Sequence, residues 1–302
     1  MRLVMNVDSN YNCFTLEEKA AVVKNAGFQG VDYGLFDMKT PDSTWFQPDW
    51  QQNADQIRNA FASEAVPVVQ THAPFSFPEI RDIDTFMEKA RPLVVHAIEV
   101  SAALGAKCVV VHPIQCIPYK ENAEALFRAN MDYYRSLIPV CKSCGIKVGI
   151  ENMFQRDRLR GNRIIHSTCA KVEEFCRYID TLDSDYMVAC LDIGHTVLPT
   201  DNAEPWDFIR ILGHDRLHTL HVHDNDFIDD RHNVPFSGKI DWYRITEALG
   251  EIDYIGDFVY EVLLNSSVPV LKPEMYPAFL SYMASVGQHL VGEIEKNRPL
   301  TR

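Results

Sequence analysis

Apolar and polar positions along the chain follow two rhythms. Eight short runs rich in Val, Ile and Leu read as β-strands: Leu3–Asp8, Gly30–Leu35, Val66–His72, Lys107–His112, Lys147–Glu151, Met187–Asp192, Leu217–His223 and Phe258–Val262. Between them lie longer stretches with helical spacing, opened by capping residues and closed by Gly or a charge. Thr15-Leu16-Glu17-Glu18 starts the first and Asn25-Ala26-Gly27 stops it. Asp84 to Gly105 predicts a long third helix, Glu121 to Gly145 a fourth, and Pro277 to Lys296 an eighth. Strand–helix alternation calls for parallel strands joined by helical crossovers. Eight such units closing on themselves make a single (β/α)8 TIM barrel, an α/β fold, over residues 1–302. The rival, an open doubly wound sheet, lacks a GxGxxG after the first strand, and no Pro/Gly/Ser-rich linker splits the chain. Two stretches predict long loops, Asp37 to Trp50 after strand two and Asn152 to Ser167 after strand five.

Composition narrows the function classes. The 302 residues are 46% hydrophobic and 24% charged, which excludes a disordered or low-complexity chain. A chain of this length buries enough core to fold without a metal or disulfide, so a metal site would serve chemistry. The net charge of −13 disfavours nucleic acid and anionic membrane as partners. No apolar run approaches a membrane span, and the Asp at position 8 comes too early for a signal-peptide core. The eight cysteines show no secreted framework, and Cys141 and Cys144 form a CxxC without a second pair. A reduced, cytoplasmic protein is expected, and a homo-oligomer is compatible with these numbers.

The chemistry sits where the strands end. His72 ends strand three, His112 strand four, Glu151 strand five, Asp192 (followed by His195) strand six, His223 strand seven, and Glu261 closes strand eight. In a barrel the C-terminal strand ends build one shared mouth, so these side chains converge. One histidine at a strand end is commonly structural; metal-competent residues on six successive strands predict a metal site. His221 and His223 are two apart, so both face the barrel interior, one as ligand and the other as packing or orienting partner. His223, nearer the mouth, is the expected ligand. Carboxylates and imidazoles without thiolate suit Mn, Mg, Co or Zn. The loop from Gln155 to Arg163 carries four arginines, Arg156 and Arg158 among them, suited to a substrate phosphate or carboxylate, to a nucleic-acid backbone, or to solvent. Trp45, Phe46, Trp50, Phe75 and Phe77 suggest an aromatic lid or ordinary loop packing.

These marks, Ile-Glu151-Asn, Asp192-x-x-His195, the HxH of strand seven and Glu261, resemble the xylose isomerase-like barrel superfamily over almost the whole chain. That superfamily holds sugar isomerases, ketose 3-epimerases, inosose-type enzymes and endonuclease IV. The resemblance to the epimerases implies one divalent cation on Glu151, Asp192, His223 and Glu261. It also implies catalysis by Glu151 and Glu261, which move the proton, and a substrate contact by His195. Removing a proton beside a carbonyl needs a Lewis acid to stabilise the enediolate and a positioned acid–base pair. The epimerases' substrate-contacting Glu falls at Asp157 here, and their arginine, six residues after the metal histidine, falls at Asp229, leaving Arg231 as a substitute. Endonuclease IV is also similar: His72 and His112 match an outer zinc site with Glu151, and His195, Asp230 and His232 match another, so further Zn is implied. The loop from His223 to Asp230 is shorter than in that nuclease, which argues against the third ion.

The resulting expectation is a metal-dependent sugar or sugar-phosphate isomerase or epimerase, with a small-molecule sugar as partner. The alternatives are an endonuclease IV-like zinc phosphoesterase and an inosose-type dehydratase.

Overall fold

The computed structural model describes residues 1–7, 13–40, 42–199, 203–268 and 270–299. Among the described residues ten strands follow one another: β1 (Leu3–Val7), β2 (Gly30–Gly34), β3 (Val68–His72), β4 (Cys108–Val111), β5 (Lys147–Glu151), β6 (Phe154–Asp157), β7 (Arg163–His166), β8 (Met187–Asp192), β9 (Leu217–His221) and β10 (Phe258–Tyr260). Eight of them are parallel and pair in the order β10-β1-β2-β3-β4-β5-β8-β9. A parallel bridge between Val222 and Tyr260 closes the ring, with Val222 N–H donating to Val259 O at 2.8 Å and Glu261 N–H to Val222 O at 3.1 Å. Asp8, placed in the first strand by the sequence pattern, lies outside the described residues.

The main helices among the described residues are α1 (Leu16–Ala26), α2 (Trp50–Ser63), α3 (Arg91–Leu104), α4 (Tyr119–Cys144), α5 (Val172–Leu182), α6 (Pro205–Arg216), α7 (Trp242–Glu251) and α8 (Tyr276–Lys296). Thr15 and Glu18 form a reciprocal capping box on α1, and Gly27 ends it at φ 108°, a backbone setting that suits glycine. Between strands and helices runs a continuous apolar core that includes Val31, Val109, Ile150, Leu191, Leu220 and Tyr260, all buried. No described helix is long and apolar enough to cross a membrane.

Two expectations need correction. The helix expected from Asp84 to Gly105 is present, continuous from Ile83 to Leu104, but not uniform: Phe86–Ala90 winds as a π-helix before α3 proper begins at Arg91. Pro92 brings no N–H to a regular ladder and crowds the carbonyl four residues earlier, so the wider turn precedes it. The stretch from Asn152 to Ser167 is not a plain loop. It carries the antiparallel hairpin of β6 and β7, beside the barrel mouth. Its tip is turned by Gly161 and Asn162 at positive φ, and the Asp157 carboxylate accepts from the N–H groups of Leu159 and Arg160.

Candidate metal centre

The barrel gathers its metal-competent side chains into overlapping groups at the C-terminal strand ends. One is Glu151, Asp192, His221 and Glu261, a second His72, His112 and Glu151, a third His195, His223, Asp230 and His232, and a fourth links His72, His221 and Glu261. Within each group the donor atoms lie within 4.8 Å of one another. Glu151 is shared by two of them.

Local structure explains these positions. Asn152, next to Glu151, replaces a ladder rung with its side chain: its amide donates to Asp192 O at 2.9 Å and accepts from Asp192 N–H at 2.8 Å. The ends of β5 and β8, and with them Glu151 and Asp192, are thereby fixed to one another. Asp192 then caps the short turn Ile193–Thr196, its Oδ1 accepting from His195 N–H at 2.8 Å. The Asp-x-x-His spacing is thus an N-cap spacing that also points His195 into the mouth. Gly194 lies inside that turn, where a Cβ would fall 2.0 Å from His223 Cε1, so only a glycine lets His223 sit there. The loop after β9 folds back through an antiparallel bridge between Asp224 and Asn233, and the buried Asp224 accepts from Trp242 Nε1–H at 2.9 Å. Asp230 and His232 therefore reach the mouth even though the loop is short.

The histidines present their rings in a consistent way. His72 donates Nδ1–H to Ala73 O, His195 to Asn152 O and His232 to Glu261 O, each at 2.8 Å. Such a bond makes Nδ1 the protonated nitrogen and leaves Nε2 to meet either a second proton or a cation. The Nε2 atoms face carboxylates: His72 lies 3.5 Å from Glu151 Oε2, His195 3.7 Å from Asp230 Oδ2, and His232 2.9 Å from the same Asp230 oxygen. His112 Nε2 is 2.9 Å from Glu151 Oε2, yet that oxygen, like Asp230 Oδ1 and Glu261 Oε2, is buried with no aligned hydrogen bond. Buried carboxylate oxygens without aligned donors, clustered with imidazole nitrogens, fit cations. Mn, Mg, Co or Zn match this oxygen and nitrogen set.

One expected grouping differs. The sequence pattern puts His223 with Glu151, Asp192 and Glu261; the structure puts His221 there, its Nδ1 3.2 Å from Glu151 Oε1 and 3.3 Å from Glu261 Oε2. The reason is that β9 ends at His221, level with Asp192 across the β8–β9 register, while His223 lies past the strand. His223 Nε2 instead faces Asp192 Oδ1 at 3.0 Å and Asp230 Oδ1 at 3.9 Å, and its ring stacks on His232 at 4.0 Å.

The loop residues expected to meet substrate stand apart from the donor groups. Arg156 pairs with Asp229 and lies over the Phe154 ring. Asp157 pairs with Arg160 within the hairpin tip, Arg158 is exposed there, and Arg231 pairs with Asp226 at 2.9 Å. Of the expected aromatic lid only Phe75 touches the centre, 4.6 Å from the His112 ring. Phe46 and Trp50 pack on His96 of α3, and Phe77 packs on Phe86. Phe36 against His72 and Phe154 against His195 complete the aromatic wall, and no periodic signal along the chain marks either.

Charges are strongly coupled in this buried site. Burial pushes Glu151 up, but His221 and His112 overcome it and hold the carboxyl well below its usual range. Burial likewise raises Glu261, and here the histidines do not compensate fully, so it stays above its ordinary value. Against burial, Asp192 and Asp230 lift His195 well above the ordinary histidine value, and Asp230 and Glu261 lift His232 to about 10. Cation uptake by such rings displaces their protons, so affinity is expected to rise as pH rises from about 6 towards 10. Calorimetric titration in two buffers of different ionisation enthalpy should show about one to three protons released at pH 7. Uptake without proton release would contradict these charge states.

A model for the xylose isomerase-like TIM barrel family matches residues 20–274. The chain belongs to this family. Among its curated relatives, an uncharacterized protein of Methanocaldococcus jannaschii is 29% identical over 67% of this chain and 65% of its own length. An uncharacterized Sinorhizobium fredii protein is 28% identical over 58% of this chain and 53% of its own, so the match spans about half to two thirds of these relatives. A D-psicose 3-epimerase of Enterocloster bolteae is 31% identical over 42% of this chain and 37% of its own length. Among solved barrels, a D-tagatose 3-epimerase-like protein superposes with a TM-score of 0.71 at 20% identity over 97% of this chain and 99% of its own. The 3-keto-D-glucoside 4-epimerase of E. coli gives 0.67 at 19% identity over 94% and 99%. At such identities the superpositions establish the xylose isomerase-like fold.

Proposed function

We propose that this protein is a divalent-metal-dependent sugar isomerase or epimerase, acting on a free or phosphorylated ketose. The observation that carries the reading is the convergence of Glu151, Asp192, His221 and Glu261, from four different strand ends, on one buried point. Their donor set fits a single 2+ ion, which when bound supplies Lewis-acid polarisation of a carbonyl and its neighbouring hydroxyl. The chain's own residues do the rest. Glu151, held ionised by His221 and His112, is suited to take a proton from the carbon beside the carbonyl. Glu261, on the other side of the same donor group, is suited to return one. His195, with its Nδ1–H tied to Asn152, offers Nε2 to a substrate hydroxyl. Phe36, Phe75 and Phe154 lie against His72, His112 and His195 and give the mouth an apolar wall. Relatives and neighbours named as epimerases of D-psicose and 3-keto-D-glucoside support the substrate class.

A second reading, phosphoester hydrolysis at several zinc ions, is favoured by the additional groups His72/His112/Glu151 and His195/His223/Asp230/His232. One experiment separates the two. Metal content is measured by elemental analysis, and a panel of ketoses and ketose phosphates is incubated in D2O with the metal-loaded protein. About one ion per chain, with deuterium entering beside the carbonyl and exchange stopped by EDTA, is the expected result. About three zinc ions per chain, no exchange with any sugar and cleavage of an abasic-site duplex would replace the first reading by the second.

A further inference from the structure

His221 is held from below by a chain of buried side chains that lies outside the strand-end motifs. Its Nδ1 faces Glu151 and Glu261, so the other ring nitrogen, Nε2, points down the barrel axis. There Asp32, from β2, places Oδ2 3.5 Å from Nε2. Asp32 is 3% exposed and Gln70, from β3, is also 3% exposed. The Gln70 amide nitrogen donates to Asp32 Oδ2 at 3.0 Å and lies 3.3 Å from His221 Nε2. The Gln70 carbonyl accepts from the Thr219 hydroxyl, which fixes which way the amide faces. Three strands thus build one buried relay: Asp32 from β2, Gln70 from β3, and Thr219 and His221 from β9.

The geometry assigns Asp32 as the positioning residue for His221, the carboxylate that receives its Nε2–H when Nδ1 is given to a cation. An imidazole that ligates through Nδ1 must carry its proton on Nε2, and that N–H needs an acceptor. Asp32 Oδ2 is the carboxylate oxygen that faces Nε2 among the described residues. His72, His195 and His232 use backbone carbonyls for the same purpose; His221 has a side chain instead. A buried carboxylate so far from solvent is costly unless its charge is used. Gln70 and Thr219 keep it aimed at the ring. Asp32 belongs to none of the four donor groups, so its effect passes through His221.

This inference rests on the reading of Glu151, Asp192, His221 and Glu261 as a cation site. The test is cobalt(II) titration of the metal-free full chain, following the visible d–d spectrum and the affinity, for the native protein, Asp32→Asn, Gln70→Leu and Asp192→Asn. Asp32→Asn is expected to bind cobalt about 10–100-fold more weakly, with a shifted d–d band, while the circular dichroism spectrum of the protein is unchanged. Gln70→Leu keeps the carboxylate but frees it to turn, and a smaller weakening of the same sign is expected. If Asp32→Asn does not fold, Gln70→Leu carries the test: native affinity and band there would overturn the assignment. Native affinity and an unshifted band in a folded Asp32→Asn would overturn it alone, leaving the cation site intact. No cobalt uptake by the native protein, or uptake that Asp192→Asn leaves unchanged, would overturn the cation site and the role of Asp32 together.

Discussion

Replacing Glu151 by Gln is expected to reduce turnover by roughly 10³-fold or more while the barrel still folds. Glu151 is one carboxylate in two donor groups, with Oε2 2.9 Å from His112 and 3.5 Å from His72, and Oε1 3.2 Å from His221. The amide keeps the volume, so the core is undisturbed, but it removes the charge that three imidazoles face. Cation affinity therefore falls along with turnover, and elemental analysis of Glu151→Gln should show less bound metal than native protein prepared alongside. The fold is checked by thermal melting, and the chemistry by deuterium wash-in on a ketose. Turnover within about tenfold of native, with full metal content, would remove Glu151 from the proton transfer. Glu261→Gln gives the matching comparison, because its carboxyl joins the Glu151 group from the other side of the ring closure.

The second large effect is expected from a residue that carries no charge at all. Gly194→Ala places a methyl 2.0, 2.4 and 2.6 Å from three atoms of the His223 ring. That ring cannot back away: it is fully buried and stacks on His232 at 4.0 Å. Overpacking of this kind costs about 1–3 kcal/mol, lowering Tm by roughly 5 °C in a chain of this size. Moving His223 also disturbs Asp192, whose Oδ1 lies 3.0 Å from it, so the variant should lose cation affinity as well as stability. Differential scanning calorimetry with and without metal checks both parts. A native Tm would mean that the turn carrying Gly194 yields easily, and that its packing against His223 is not a constraint.

The barrel is legible in the sequence because β-branched runs alternate with helical stretches, and six strands, from the third to the eighth, stop on a chemistry-bearing residue. That rule places His72, His112, Glu151, Asp192 and Glu261 at the mouth, and the structure gathers all of them there. The rule is weaker at a strand's end than along its length. It gives His221 and His223 the same facing without saying where β9 stops, and two residues of backbone decide which imidazole meets Glu151. Asp230 and His232 depend on a loop whose return is set by Asp224 and Trp242, contacts with no sequence period. The hairpin of β6 and β7 is hidden for another reason: Phe-Gln-Arg-Asp and Arg-Ile-Ile-His are short and charged, so neither alternates cleanly. Asp32 and Gln70 are invisible because a buried polar residue inside an apolar strand looks like noise until its partner strand is known.

The carbonyl-bound histidines carry a consequence for how this centre can change over evolutionary time. His72, His195 and His232 take their orientation from main-chain oxygens of Ala73, Asn152 and Glu261, which every replacement at those positions retains. Their tautomers are therefore insulated from drift in neighbouring side chains, and the loops around the mouth can diversify towards new substrates without unsettling the rings. His221 lacks that insulation, since what stands behind it is a side chain that a single codon change can remove.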